Sequence, residues 1–307
     1  MVWIAITAAL CGAFCLAFGA QFQSSAVRKA SGGLELTLKN LGNLAVNRRW
    51  MSGLLLLGLG MVLNVFALAS APLTVVQPIG AIALVVTTVV NSREHKLTMN
   101  RPTVLAIISC MVGSAAFVLM AINVTGEQHL VNNAEALLIE MILAVVVVVF
   151  GILVLFFRHK LGAFFYIVGA GVLFGFVAVL VRTIAIAILN FQVQDWKSLP
   201  WVALAAVVVA GLLGSYFVQT AYSKGPPDLV IAGLTVIDPM VGIAIGISIL
   251  GELRPDVPAV LAILMVVAAV LAIIGVVALS RHHPDVLERK AKARHSQKMS
   301  HKDASKQ

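Results

Sequence analysis

The sequence predicts an all-α polytopic membrane protein: about nine transmembrane helices in two inverted-topology halves, with the N-terminus outside and the C-terminus cytoplasmic. Three observations carry this. Of 307 residues, 60% are hydrophobic and 11% are charged, whereas about a quarter of the residues of a soluble domain are charged. Basic residues crowd into alternate loops. One eleven-residue phrase is also written twice, as "LTVVQPIGAIA" from Leu73 to Ala83 and "LTVIDPMVGIA" from Leu234 to Ala244.

A helix needs roughly 20 apolar residues to cross the hydrocarbon core. Nine such runs follow one another: Val2 to Phe22, Met51 to Ser70, Leu73 to Asn91, Thr103 to Ile122, Ala136 to Phe157, Phe164 to Leu189, Trp201 to Tyr222, Leu229 to Leu250 and Pro258 to Leu279. The first has no basic flank before it and no small-residue cleavage site after it, so it reads as a retained span rather than a signal peptide. Cys11, Cys15 and Cys110 fall inside runs, where a thiol behaves as a small apolar residue. Residues 23–50, with "SSAVRKASGGLELTLKNLGNLAVNRR" at their centre, are expected to form a cytoplasmic loop. That loop either lies along the inner interface or continues as a helix.

Lys and Arg stay preferentially on the cytoplasmic side. Of the 22 here, 19 fall in one set of alternating loops and in the tail, Lys197 and Arg254 fall in the other set, and Arg182 lies inside a span. This sets the orientation and, with the repeat, three divisions: a first transmembrane half at 1–123, a second at 124–280, and a basic cytoplasmic tail at 281–307. The tail has little apolar content and is expected to be disordered, with anionic lipid as its partner through charge attraction. A nucleic-acid partner would need a folded basic surface or stacking aromatics, and the tail has neither. His282, His283, His295 and His301 are unevenly spaced among lysines and read as solvated residues.

In the predicted topology the two copies of the repeated phrase run in opposite directions. Each places a proline in a span, Pro78 and Pro239. Proline lacks an N–H and displaces the carbonyl four residues earlier, which here belongs to Thr74 and Thr235. Inverted repeats with interrupted helices at matching positions point to a transport site near the midplane. Gln77 and Asp238 sit three residues after those threonines, on the same helix face. An aspartate at mid-helix costs about 2.5–3.5 kcal/mol to insert, so Asp238 is expected to face a cavity or a partner and is the one candidate metal ligand. The alternative is that both prolines are packing kinks. Asn64 and Gln219 either line the same cavity or make interhelical hydrogen bonds. Three readings stand for Arg182: reaching the outer headgroups, pairing with Asp238, or holding an anionic substrate. Gly171 and Gly175 in "GVLFG", and Gly242 and Gly246 in "GIAIG", read as close-packing sites. The chain contains no HExxH, GxSxG or Walker motif, so an enzyme is not expected, and no cofactor is implied.

The stretch from Trp50 to Met120, centred on "NVFALASAPLTVVQPIGAIALVV", resembles the NIPA-like magnesium transporters of the drug/metabolite transporter (EamA-like) superfamily. "FVQTAYSKGPPDLVIAGLTVIDP" followed by "LGELRP" is similar to the second half of that superfamily. Asn64, Pro72, Pro78 and Gly80 match positions the family fills in the same way. The chain departs from the pattern at Met61, where that branch places an acid, and at Asp238, where it places a neutral residue. The resemblance implies a plasma-membrane, multi-pass carrier that moves a cation such as magnesium through a central cavity by alternating access. A second reading is a proton-coupled exporter of a small organic metabolite or drug, with Asp238 as the coupling group. A third is a non-transporting membrane scaffold that acts through its tail. A homodimer is open to all three.

Overall fold

The computed structural model describes residues 2–31, 44–70, 82–94, 100–124, 132–189, 200–284 and 286–287. Nine helices lie among them: α1 (Val2–Ser31), α2 (Arg48–Ser70), α3 (Ile82–Glu94), α4 (Arg101–Val124), α5 (Asn133–Phe157), α6 (Ala163–Leu189), α7 (Trp201–Lys224), α8 (Pro227–Ser248) and α9 (Ala259–His282). Seven of these, α1 and α4 to α9, are long and apolar enough to cross a membrane. The chain is therefore an all-α polytopic membrane protein. α2 covers the second predicted run, and α3 covers the last part of the third.

The expected loop at 23–50 does not begin at residue 23. α1 continues to Ser31, with Gln23, Ser24, Ala26 and Val27 all buried. Hydropathy drops at Gln21 and Gln23, which ends an apolar run by composition. The polar groups nevertheless find partners inside the bundle: Gln23 Oε1 accepts from Gln219, and Arg28 Nη2 donates to the Gly225 carbonyl at 3.1 Å. The far end of the chain is corrected in the same way. α9 runs through His282, and His283 is fully buried against Asp228. The division at 281 therefore falls inside a helix, and the reading of His283 as solvated is overturned.

Small residues set the closest helix contacts. α4 packs along α9, where a Cβ added at Gly113 would lie 2.6 Å from the Ala272 nitrogen and one added at Gly275 would lie 2.6 Å from the Cys110 nitrogen. Such backbone proximity is how helices gain packing energy where lipid supplies no hydrophobic drive. α5 begins with a capping box, Asn132 accepting from the Glu135 N–H and Glu135 accepting from the Asn132 N–H. It is the least buried of the seven long helices.

α8 is the central element, touching α1, α3, α4, α6, α7 and α9. Its start is set by "GPP": Gly225 is extended, Pro226 caps, and Pro227 occupies the first turn, where no helical N–H is needed. At this end the Lys224 ammonium also donates to the carbonyls of Arg158 and Leu161, and Asn100 and Thr103 donate to the carbonyl of His282. At the opposite end the Arg254 N–H donates to the Val124 carbonyl.

Candidate functional site

A cavity of about 790 Å³ lies mainly between α1, α2, α4, α7 and α8, with single residues from α3 and α6 completing its wall. Most of its wall is apolar, from residues such as Leu16, Leu57, Met111 and Phe174. α8 contributes Thr235, Asp238 and Pro239. α6 approaches closely behind this segment, because a Cβ at Gly171 would lie 2.7 Å from Ile237 Cβ and one at Gly175 would lie 2.6 Å from Val241 Cβ. The "GVLFG" glycines thus act in packing, pressing α6 against the turn that presents the aspartate.

α8 passes through Pro239 as one continuous helix, so the expected interruption is absent here. The carbonyl that Pro239 frees, that of Thr235, accepts a hydrogen bond from Ser114 Oγ of α4 at 3.1 Å. A proline in a membrane helix is tolerated when a neighbouring helix satisfies the freed group. Sequence reasoning missed Ser114, although a hydroxyl between Gly113 and Ala115 in an apolar run was a usable signal. Thr235 Oγ1 donates back to the Ile231 carbonyl at 2.8 Å, so its hydroxyl proton is engaged while its oxygen stays on the cavity side.

Asp238 is half-buried and has no hydrogen-bond or ion-pair partner among the described residues. It is the only acid among the described residues lining the cavity. No group of three or more His, Cys, Asp or Glu lies together anywhere among the described residues. The site can therefore offer a cation one carboxylate, supplemented by hydroxyls and amides.

Gln219 serves both of the roles left open for it. It lines the cavity, and it joins three helices: Trp50 Nε1 donates to its Oε1 at 3.1 Å, and its Nε2 donates to Gln23 Oε1 at 2.9 Å. Gln23 and Trp50 also line the cavity and were not foreseen. Gln23 fell just beyond the first apolar run, and Trp50 just before the second.

Arg182 lies outside the cavity wall. Its guanidinium grips Glu252, in the turn after α8, with contacts of 2.6 and 3.2 Å. Of the three readings of Arg182, the structure gives it a partner none of them named. Met61, where the resembled family places an acid, is 68% exposed on the outer face of α2. The side chain of Asn64 lies outside the described residues, as do Thr74, Gln77 and Pro78, so the first copy of the repeated phrase cannot be laid against the second in space.

Comparison with known proteins adds the family. A family model described as "Magnesium transporter NIPA" matches residues 42–223. A "Probable magnesium transporter NIPA1" of Arabidopsis thaliana is 32% identical over 148 residues, which span 45% of this chain and 43% of that relative. No solved structure matches the chain. The family match runs from before α2 to the end of α7 and stops short of Thr235, Asp238 and Pro239. Since it covers more than half of a polytopic chain, which itself spans less than half the length of that relative, the protein belongs to the NIPA magnesium transporter family.

Proposed function

We propose that the protein carries a cation, magnesium in the first instance, across the plasma membrane by alternating access through the cavity beside α8. One observation carries this: Asp238, the cavity's single carboxylate among the described residues, has no protein partner among them and stands in a mostly apolar wall. A buried charge of this kind is retained only where an ion or cavity water balances it. Magnesium sheds its water reluctantly and usually keeps several waters when bound through one or two carboxylates. Six waters occupy about 180 Å³ at ~30 Å³ each, so the cavity of about 790 Å³ admits the hydrated ion without stripping it. Thr235 and Ser215 supply hydroxyl oxygens that would contact its water shell.

The orientation proposed with this function has the N-terminus outside and the C-terminus in the cytoplasm, with two inverted halves at 1–123 and 124–280. It rests on the uneven distribution of Lys and Arg. The basic residues after Ser280 then face anionic inner-leaflet lipid. Magnesium uptake into proteoliposomes, read with an entrapped magnesium dye, tests the site. Asp238→Asn should reduce the initial rate to below about a tenth of wild type, the factor that roughly 1.4 kcal/mol of lost attraction produces. Near-normal uptake by that variant would remove Asp238 from the mechanism.

A further inference from the structure

The cavity is several times larger than a hydrated magnesium ion requires, and its wall is mostly hydrocarbon and aromatic, with Trp50, Phe174, Tyr216 and Tyr222 among its residues. Cavities of roughly 300–1,000 Å³ that are apolar with a few placed polar groups are the usual form of small organic ligand sites. Besides the hydroxyls of Ser215, Tyr216 and Tyr222, the polar groups here fall into two stations. One is Asp238 with Thr235 and Ser114. The other is the Gln23–Gln219–Trp50 chain. Gln219 lies five residues before the end of α7 and Asp238 eleven residues after the start of α8. At 1.5 Å per residue in adjacent antiparallel helices, the stations are separated by roughly 9 Å along the bundle.

The polarity of the second station follows from the indole. A tryptophan N–H only donates, so the atom of Gln219 facing Trp50 must be its carbonyl oxygen, and its NH₂ must face Gln23. Gln23 must then present its own carbonyl to Gln219, which leaves its two N–H donors without a protein partner among the described residues. An amide orientation is normally a choice between two fits, but here the donor-only indole removes the choice. The cavity therefore has a negative station and a donor station set in a mostly apolar wall.

We propose that the same cavity binds organic amines whose protonated nitrogen meets Asp238, whose apolar body lies along the aromatic wall, and whose far end carries a hydrogen-bond acceptor received by Gln23. This rests on the cavity being the carrier's binding site and adds a ligand class to the inorganic cation. Aromatic faces in the cavity wall suit a bulky cation by cation–π attraction, which the strongly held water shell of magnesium cannot use.

Two isosteric probes separate the terms: 4-methoxyphenethylamine, which has an ether acceptor at the far end, and 4-ethylphenethylamine, which has a methylene in its place. Binding is measured by calorimetry on the full chain in lipid nanodiscs, with empty nanodiscs subtracted. The methoxy amine should bind about fivefold more tightly, the ratio one net hydrogen bond produces. A purely apolar cavity would reverse the order, because the ethyl group is the more hydrophobic. Gln23→Leu should abolish or reverse the preference, and Asp238→Asn should weaken both amines by at least about tenfold, as loss of one buried charge contact implies. Absence of saturable binding, or an ethyl preference in wild type, would overturn the proposal even if Gln23→Leu fails to fold. Magnesium uptake that depends on Asp238 without amine binding would overturn only this inference. Amine binding without magnesium uptake would instead count against magnesium as the carried ion.

Discussion

Asp228 and Asp238 lie on the same helix and have opposite surroundings. Asp228, in the first turn of α8, is fully buried and engaged on both oxygens: His283 Nε2 lies 2.9 Å from Oδ2, and Asn91 Nδ2 donates to Oδ1 at 3.4 Å. Its negative charge also complements the helix N-terminus. Asp238, in the middle of the helix, faces a cavity and has no protein partner among the described residues. The first joins the ends of α3, α8 and α9, and the second is the carboxylate we propose a ligand meets. A carboxylate inside a membrane protein is thus assigned a role by what surrounds it, because its insertion cost must be offset either by the protein or by something it binds.

Thermal and chemical unfolding in detergent should separate the two most sharply. Asp228→Ala strips a buried imidazole and a buried amide of their acceptor and should cost about 3 kcal/mol, as breaking a buried charged contact does. Asp238→Ala removes an uncompensated charge from an apolar wall and should be neutral or slightly stabilising while still abolishing magnesium uptake. Equal destabilisation by the two changes would show that Asp238 is a structural partner after all.

The Arg182–Glu252 pair at the other end of α8 gives an intermediate case. Its guanidinium side is 37% exposed, so solvent and salt screen it, and Arg182→Gln should cost about 1 kcal/mol or less. A double-mutant cycle with Glu252→Gln should return a coupling smaller than the corresponding cycle for Asp228 and His283. A larger coupling would reverse the order of the two ends. The smallest effect is expected from Ser114→Ala. Hydrogen bonds between membrane helices average about 0.6 kcal/mol, but here the loss exposes the Thr235 carbonyl to the cavity next to Asp238. Magnesium uptake should therefore fall while stability barely changes. Unaltered uptake would mean that Ser114 only fills space.

The sequence made Asp238 conspicuous and Asp228 invisible for the same reason. Asp238 is a charge in the middle of an apolar run and stands in a repeated phrase, whereas Asp228 sits beside a glycine and two prolines, where a loop acid is ordinary. His283 looked solvated because it opens a basic tail, and only the packing of α9 against α8 buries it. Gln23 and Trp50 were hidden at the margins of apolar runs, where hydropathy cannot distinguish a polar residue that leaves the bundle from one that finds a partner inside it. Pro239 was legible as a site of special backbone chemistry, but the remedy, a hydroxyl from α4, was not.

From sequence alone came the membrane class, the approximate positions of the helices, the family resemblance and the candidacy of Asp238, because each rests on composition or on motifs contiguous in the chain. Burial in lipid imposes long apolar runs, and an unpaired charge in such a run stands out without coordinates. Tertiary structure alone decided which polar residues meet: Gln23 with Gln219 and Trp50, Ser114 with the Thr235 carbonyl, Asp228 with His283, and Arg182 with Glu252. Those partners are separated by 55 to 196 residues along the chain. A hydrogen bond depends on ångström-scale distance between helices, and no local pattern encodes that distance.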